Sequence, residues 1–186
     1  MKGIIVAVSV KKVLFFTIIF LISTGFADAL EFTVSATPFV TIPFEATSSD
    51  LYGYGGGGVI NADVCLWQHF SVGPEFGYII NTLQSNSVTN VTLAGLSTAV
   101  WIYPTSRVVL RAQGSAGGYT MKFDSETKGT MTYNDYWWKA WGEAGFRFTP
   151  SFSISGGAGY LNCLAPDEPG GTMFSGIVTG LTARVT

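Results

Sequence analysis

Charged residues are scarce in this sequence, and those present are not clustered. Asp, Glu, Lys and Arg make up 12% of the 186 residues, which is about half the usual fraction, and the formal net charge at pH 7 is -2. Surfaces that bind nucleic acid carry a concentrated basic face, because they must neutralise phosphates. The sequence has no Lys/Arg cluster of that kind. We therefore expect no nucleic-acid partner.

The residue types that most often carry chemistry are equally rare. His69 is the only histidine, and Cys65 and Cys163 are the only cysteines. One histidine cannot build a metal site alone, and no serine or acid pattern converges on it. Gly55 to Gly58 is similar to a phosphate-binding loop, but no Lys-Ser/Thr pair follows it. We predict that the chain is not an enzyme and has no catalytic, metal-binding or cofactor-binding residue.

Only one long apolar run is present, and it lies near the start of the chain. This run, Val13–Ile22, follows a Lys-Lys pair and precedes a small-x-small cleavage site that ends at Ala29. The pattern is that of a secretory signal peptide, so we predict a signal peptide at residues 1–29 and an exported domain at residues 30–186. An uncleaved anchor is the alternative, although the run is shorter than the ~20 residues that a spanning helix needs.

The clearest pattern in the exported part is the alternation in Tyr136–Phe148, which reads YWWKAWGEAGFRF. Successive residues of a strand point to opposite faces, and the three charges Lys139, Glu143 and Arg147 all fall on the same face. The other face is small and apolar in the middle and aromatic at both ends. That distribution is typical of a strand that spans a bilayer.

Seven further segments show the same alternation. The eight predicted strands are Glu31–Ile42, Gly53–Trp67, Phe70–Asn81, Val91–Tyr103, Arg107–Phe123, Tyr136–Phe148, Phe152–Cys163 and Met173–Val185. The links between them are alternately long and short, which is the topology of a transmembrane barrel. We therefore predict an all-β fold, an eight-stranded antiparallel transmembrane β-barrel in the outer membrane, with both termini periplasmic. Pro38 cannot donate to a ladder and predicts a bulge or a locally open edge.

The odd or even position of a residue along its strand, which we call strand parity, also predicts which side chains face the lumen. The inward charges are three acids and four bases, namely Asp63, Glu75, Arg111, Lys139, Glu143, Arg147 and Arg184. We expect them to form a lumen charge network, because unpaired charge inside a barrel is costly. In this network Arg147 is expected to neutralise Glu143 or Glu75.

Many other inward positions are glycine, among them Gly117 and Gly157. Such small residues predict free volume inside the barrel. We place a candidate lumen pocket beside Trp137, Trp141 and Tyr119. An eight-stranded barrel is too narrow for a wide diffusion pore, so this pocket would admit only small molecules.

The position of residues along the strands gives two more predictions. Aromatic residues gather at the predicted periplasmic ends (Trp67, Phe70, Trp101, Tyr103, Phe148 and Phe152) and at the outer rim (Tyr52, Tyr54, Tyr136, Trp137, Trp138 and Phe174). We predict that both sets form interfacial girdles. Cys65 and Cys163 fall at opposite ends of the barrel, too far apart for a disulfide.

The combination of signal peptide, strand count, link alternation and girdles resembles the small eight-stranded outer-membrane proteins, namely the OmpW, OmpX and OmpA transmembrane-domain families and their spirochaetal relatives. The final residues, Leu181–Thr186, depart from these families, which typically end in an aromatic residue that the assembly machinery reads. Resemblance to OmpW implies a narrow conduit or pocket for small, including hydrophobic, molecules. Resemblance to OmpX implies a plugged barrel whose surface loops serve adhesion or immune evasion by contact with a host or extracellular protein.

The glycine-lined lumen favours the conduit, and the plugged scaffold is the alternative. In the scaffold the third long loop would supply the contacts, through Asp124, Glu126, Lys128, Tyr133 and Asp135. A barrel of this size could also be a soluble lipocalin-like carrier or a lipid-modifying enzyme, and both are less favoured. The enzyme would need a serine, a histidine and an acid at the outer rim, whereas His69 is predicted at the opposite end.

Overall fold

The computed structural model describes residues 31–44, 52–67, 69–83, 88–103, 105–125, 129–165 and 172–186. The predicted signal peptide at residues 1–29 lies outside this part of the chain. Residues Glu31–Thr186 form one compact unit. Among the described residues, no helix has the length and apolar character needed to cross a membrane.

Eight antiparallel strands form one closed barrel in chain order. They are β1 (Glu31–Pro43), β2 (Tyr52–Trp67), β3 (Phe70–Leu83), β4 (Val88–Ile102), β5 (Val108–Ser125), β6 (Gly129–Thr149), β7 (Phe152–Leu164) and β8 (Thr172–Val185). The barrel closes where β1 pairs with β8, from Val34 opposite Val185 to Pro43 opposite Gly176. The predicted all-β, eight-stranded antiparallel barrel is confirmed.

The two faces of the strands have opposite character. Burial alternates along β4 with little interruption, so that every second side chain points into the barrel. The outward side chains include Phe32, Leu96 and Leu181, which are 67%, 64% and 61% exposed, whereas Asn61 and Ser71 are buried inside. A soluble lipocalin-like barrel would hold its apolar face inside. An apolar outer face around buried charged and polar side chains is the arrangement of a transmembrane barrel, whose surroundings are lipid.

Pro38 interrupts one ladder without shifting it. On one side the β1–β2 register runs unbroken through Pro38, which lies opposite Gly58. On the other side Ala36 pairs with Ala183, and the same register resumes at Phe39. Of the two outcomes predicted for this proline, the structure has a locally open edge towards β8, because proline has no N–H to donate.

The β5–β6 hairpin is the main departure from the predicted strand bounds. β6 begins at Gly129 rather than at Tyr136, and β5 continues to Ser125, which pairs with Gly129. At 21 residues β6 is much longer than the roughly 9 to 11 residues that a tilted strand needs to cross the hydrocarbon. The hairpin therefore extends beyond the apolar band.

Three of the residues predicted as loop contacts are strand residues, so the predicted loop is wrong there. Asp124 lies in β5, and Tyr133 and Asp135 lie in β6. Glu126 and Lys128 lie outside the described residues. The sequence signal fails because the pattern reverses here: Met131 and Tyr133 lie on the half-buried face, whereas Thr130, Thr132 and Asn134 are exposed.

Candidate functional site: the barrel lumen

The contents of the lumen differ between the two ends of the barrel. We call the end with the short β2–β3, β4–β5 and β6–β7 links the turn end, and the opposite end the loop end. Towards the turn end lies an ionic layer, which consists of Asn61, Asp63, Glu75, Ser97, Arg111, Gln113, Ser115, Lys139, Glu143 and Arg184. Towards the loop end lies an aromatic layer, which consists of Phe39, Tyr52, Ile79, Val91, Leu93, Tyr119, Met121, Trp137, Leu161, Cys163, Phe174 and Val178.

The first part of the ionic layer is built around one shared carboxylate. Arg111 donates from Nη2 to Asp63 at 2.7 Å, and its Nη1 lies 3.7 Å from Glu143 Oε1. The same Glu143 oxygen accepts from Arg184. Each of these four side chains is at most 6% exposed. Glu143 is thus placed to neutralise two buried guanidinium groups at once.

The second part of the ionic layer surrounds Glu75, which is 0% exposed. Its Oε1 accepts from Lys139 Nζ. Its Oε2 accepts from Asn61 Nδ2 at 2.8 Å, from Gln113 Nε2 at 2.6 Å and from Ser115 Oγ at 2.8 Å. A buried carboxylate remains charged only when such donors replace its lost hydration.

Ser97 joins the two parts into one network. Its Oγ donates to Asp63 Oδ1 at 3.0 Å and accepts from Asn61 Nδ2 at 3.2 Å. Ser97, Asn61 and Gln113 are members of this layer that were not predicted. Asn61 and Gln113 lie two residues from Asp63 and Arg111 on the same strands, so strand parity alone would have identified them.

Arg147 is the predicted lumen charge that stays outside this network. It is half-buried near the turn end, where its guanidinium lies 4.8 Å from the centre of the Tyr103 ring. Within the described residues it forms no ion pair, so its predicted pairing with Glu143 or Glu75 is wrong. Burial raises the pKa of the Tyr103 phenol above its ordinary value, and the positive charge of Arg147 opposes that shift.

Trp101 lies beside the ionic layer on its turn-end side. The guanidinium groups of Arg184 and Arg111 lie 4.4 Å and 4.9 Å from its ring centre, and its Nε1 donates to Ser71 Oγ at 3.0 Å. The negative face of an indole attracts such cations. The prediction that Trp101 belongs to a membrane girdle is therefore wrong, because its side chain is 5% exposed and faces the lumen.

The aromatic layer is held by ring contacts and by hydrogen bonds to the backbone. Tyr52 meets Phe174 edge to face at 5.2 Å between ring centres. Trp137 Nε1 donates to the Gly118 carbonyl at 3.0 Å, and the Tyr119 hydroxyl donates to the Leu164 carbonyl at 2.5 Å. Buried indole and phenol groups need such partners.

Three residues of the aromatic layer had been assigned to the outer girdle. Tyr52, Trp137 and Phe174 are at most 2% exposed and face the lumen, so the girdle prediction is wrong for them. Their position near strand ends suggested the membrane interface, but inward parity decides their direction. Side chains that do face outward near the ends include Tyr54, Tyr136 and Trp138 at the loop end and Phe148 and Phe152 at the turn end. Tyr103 instead stacks on Trp101 and lies beside Arg147, so the girdle prediction is wrong for it as well.

At two of the inward glycines, neighbouring atoms already occupy the space that a side chain would take. A Cβ atom at Gly157 would lie 2.6 Å from Trp141 Cζ2, and one at Gly117 would lie 2.1 Å from the Ala94 carbonyl oxygen. Glycine is needed here because an indole ring or a neighbouring strand already occupies the space. Trp137, Trp141 and Tyr119 belong to one buried apolar cluster. The three residues of the predicted pocket are thus packed together in the interior of the barrel.

A cavity of about 380 Å³ lies at the turn end, below the ionic layer. Its walls include Thr33, Cys65, Trp101, Arg147 and Arg184. Both cysteines are free thiols, as predicted, and only Cys65 borders this cavity, since Cys163 is buried in the aromatic layer.

Comparisons with known proteins identify the fold. No protein-family model matches the chain, and no curated protein matches it in sequence. Among solved structures, the crystal structure of Neisserial surface protein A (NspA) is similar with a TM-score of 0.67 at 12% identity, over 85% of this chain and 99% of that one. The outer membrane protein OprG from Pseudomonas aeruginosa is similar with a TM-score of 0.51 at 6% identity, over 82% of this chain and 94% of that one.

At these identities the similarity concerns the fold. The chain has the fold of the small eight-stranded outer-membrane barrels, in agreement with the predicted resemblance. Neither similarity bears on spirochaetal relatives.

Proposed function

We propose that this outer-membrane barrel is a closed scaffold that presents its loop end to a host or extracellular protein. The observation that supports this most is the filling of the lumen at two successive levels. A solute crossing the barrel would have to separate the Arg184–Glu143–Arg111 contacts and then displace Trp137. Breaking a buried ion pair is strongly unfavourable, because it leaves an uncompensated charge behind.

The main argument for a conduit for small or hydrophobic molecules is weakened. That function was inferred from glycine positions, and neighbouring groups occupy those positions. The sequence favoured the conduit over the scaffold, and the side-chain packing supports the opposite order. No enzymatic activity forms part of the proposal.

The proposed orientation follows from the lengths of the links. The predicted signal peptide would export the chain, and the termini and the turn end would face the periplasm. The loop end would then face outward, where the β5–β6 hairpin would project beyond the other described strands. At ~3.3 Å per residue, β6 is about 70 Å long.

Side-chain contacts brace this hairpin as a display element. Phe123 and Tyr133 pack edge to face at 5.6 Å between ring centres. Thr120 Oγ1 donates to Asn134 Oδ1 at 2.7 Å on the exposed side. A rigid scaffold that holds a braced hairpin outside the membrane is a common way to present binding residues.

Planar-bilayer recording tests the closed lumen. We expect the refolded protein to give no ion conductance above that of the protein-free bilayer, and liposomes containing it to show no faster uptake of small sugars or aromatic solutes. Reproducible single-channel openings, or solute uptake that depends on the protein, would favour the conduit instead.

Exchange of the hairpin tip tests the display role. Residues 124–130 would be replaced by a two-residue turn, and binding of nanodisc-embedded protein to immobilised extracellular-matrix proteins and to cultured host cells would be measured. We expect the hairpin variant to lose binding. A matched variant shortened in the 84–87 link should keep it, and equal loss in both variants would contradict a specific role for the hairpin.

A further inference from the structure

The turn-end cavity has a wall that is rich in hydrogen-bond donors. Its lining includes the side chains of Thr33, Arg147 and Arg184, with the indole of Trp101 beside them. Trp101 and Tyr103 are stacked at 6.3 Å with an angle of 11° between their planes. The cavity therefore combines cationic groups with a flat aromatic wall.

Arg184 has more donors than the protein supplies acceptors. This side chain is buried, with 2% of the residue exposed, and its Nη2 donates to Glu143. Its Nε and Nη1 have no hydrogen-bond partner among the described residues. Ser35 lies opposite Arg184 in the β1–β8 ladder, and its hydroxyl also lacks a partner there. Buried donors without acceptors are rare in folded proteins and each is costly, so the arrangement needs an acceptor.

The balance of charges around the cavity also favours an anionic ligand. The buried acids Asp63, Glu75 and Glu143 are matched in number by the buried bases Arg111, Lys139 and Arg184. Arg147 then adds a positive charge at the cavity, and no carboxylate pairs with it in the described part of the chain. Glu31 and the last residue, Thr186, also line the cavity, but both are exposed at the mouth, where water screens the charges of their carboxylates. The inner wall is thus positive.

We propose that the turn-end cavity is a binding site for a small oxyanion, a phosphate or carboxylate group, held by the guanidinium groups of Arg184 and Arg147 beside Trp101. Guanidinium groups suit this chemistry because their planar N–H donors match the oxygens of such anions. At about 380 Å³ the cavity can also hold part of the molecule that carries the anionic group. The group could come from a free solute or from a lipid headgroup at the membrane surface.

Titration with inorganic phosphate tests the site. The protein would be refolded in a non-ionic detergent, and tryptophan fluorescence would be followed at constant ionic strength, with chloride as the reference anion. We expect a saturable response to phosphate. Arg147→Gln should weaken phosphate binding about tenfold or more, since a charge-assisted hydrogen bond is lost. Arg147 lies outside the ionic layer, so this variant should fold, as heat-modifiable gel migration would show.

Arg107→Gln is the matched control. Arg107 is exposed in the β4–β5 turn at the same end of the barrel, so this change removes the same charge without touching the cavity lining. We expect unchanged phosphate binding. Equal weakening in both variants would show general attraction to a positive rim, and either that result or a non-saturable wild-type response would overturn the proposal.

Protection of Cys65 gives a second readout that does not depend on tryptophan. Cys65 lines the cavity, whereas Cys163 is 0% exposed. We expect phosphate to slow modification of Cys65 by neutral iodoacetamide in the wild type and not in Arg147→Gln. Equal rates with and without phosphate in the wild type would contradict the site.

Nanodiscs identify the source of the anion. If a lipid headgroup supplies it, phosphatidylglycerol discs should protect Cys65 without added phosphate, and discs of a zwitterionic lipid should not. If protection requires added phosphate in both kinds of disc, the ligand is a free solute.

Discussion

The ionic layer and the aromatic layer close the same lumen through different kinds of interaction. In the ionic layer, each buried charge depends on particular partners, and Glu75 alone accepts from Lys139, Asn61, Gln113 and Ser115. In the aromatic layer, closure depends on shape and on a few hydrogen bonds to the backbone. Removal of one partner should therefore destabilise the whole ionic layer. In the aromatic layer, the loss of stability should depend mainly on the volume of the side chain that is removed.

The largest expected effect is that of Glu143→Gln in the ionic layer. The change leaves Arg184 without a carboxylate and deprives Arg111 of one of its two. We expect the free energy of unfolding to fall by about 3 to 5 kcal/mol, the usual result of breaking a buried ion pair. Urea unfolding in lipid vesicles, followed by fluorescence and circular dichroism, measures it.

Glu31→Gln is the control for that measurement, because Glu31 is an exposed acid on β1 that takes no part in the ionic layer. Its effect should stay within about 0.5 kcal/mol. A similarly small effect for Glu143→Gln would mean that the ionic layer does not hold the barrel together.

Trp137→Ala tests the aromatic layer. The loss of a buried indole should cost about 3 to 4 kcal/mol, since the flexible side chain of Met121 can fill part of the space. Because the ionic layer remains intact below it, we expect conductance to stay at the baseline. The outward neighbour Trp138, which is 41% exposed, provides the control Trp138→Ala, and its effect should be smaller.

An increase in the conductance of the Trp137→Ala variant would contradict this expectation. It would mean that the aromatic layer alone closes the lumen, and that ions pass the ionic layer.

Ala144→Arg tests the boundary between lumen and lipid. Ala144 follows Glu143 in β6 and faces outward. An arginine on the lipid face near the midplane should destabilise the barrel by about 2 to 4 kcal/mol. Thr149→Arg, at the turn-end rim of the same strand, should cost no more than about 1 kcal/mol. If the two substitutions had equal effects, the outward face of β6 would not lie in hydrocarbon.

The fold could be predicted from the sequence because parity and turn residues are local signals. Seven strand starts and the inward direction of Asp63, Glu143 and Arg184 follow from alternation, and most predicted bounds lie within three residues of those observed. The start of β6 could not be predicted, because beyond the bilayer the exposed face is polar and the half-buried face carries Met131 and Tyr133, the reverse of the pattern that identified the other strands.

The packing of the lumen could not be predicted to the same degree. Parity places Lys139 and Glu75 inside, but only the register of distant strands brings them together across 64 residues of chain. The glycines were misinterpreted for the same reason, since a missing side chain leaves space only if nothing else occupies it. At Gly157, the ring of Trp141 occupies the space that a Cβ atom would need.

The smallest expected effect is that of Arg147→Leu, and it separates the network deduced from parity from the network that the structure contains. Parity alone pairs Arg147 with Glu143 or Glu75, and loss of such a pair would cost about 3 to 5 kcal/mol. In the structure Arg147 contacts the Tyr103 ring and no carboxylate among the described residues, so we expect a loss of at most about 1 kcal/mol, the size of an exposed cation–π contact. Urea unfolding beside Arg111→Leu, which breaks the contacts with Asp63 and Glu143, gives the reference for a true network member. Equal destabilisation by the two leucine substitutions would place Arg147 inside the ionic layer after all.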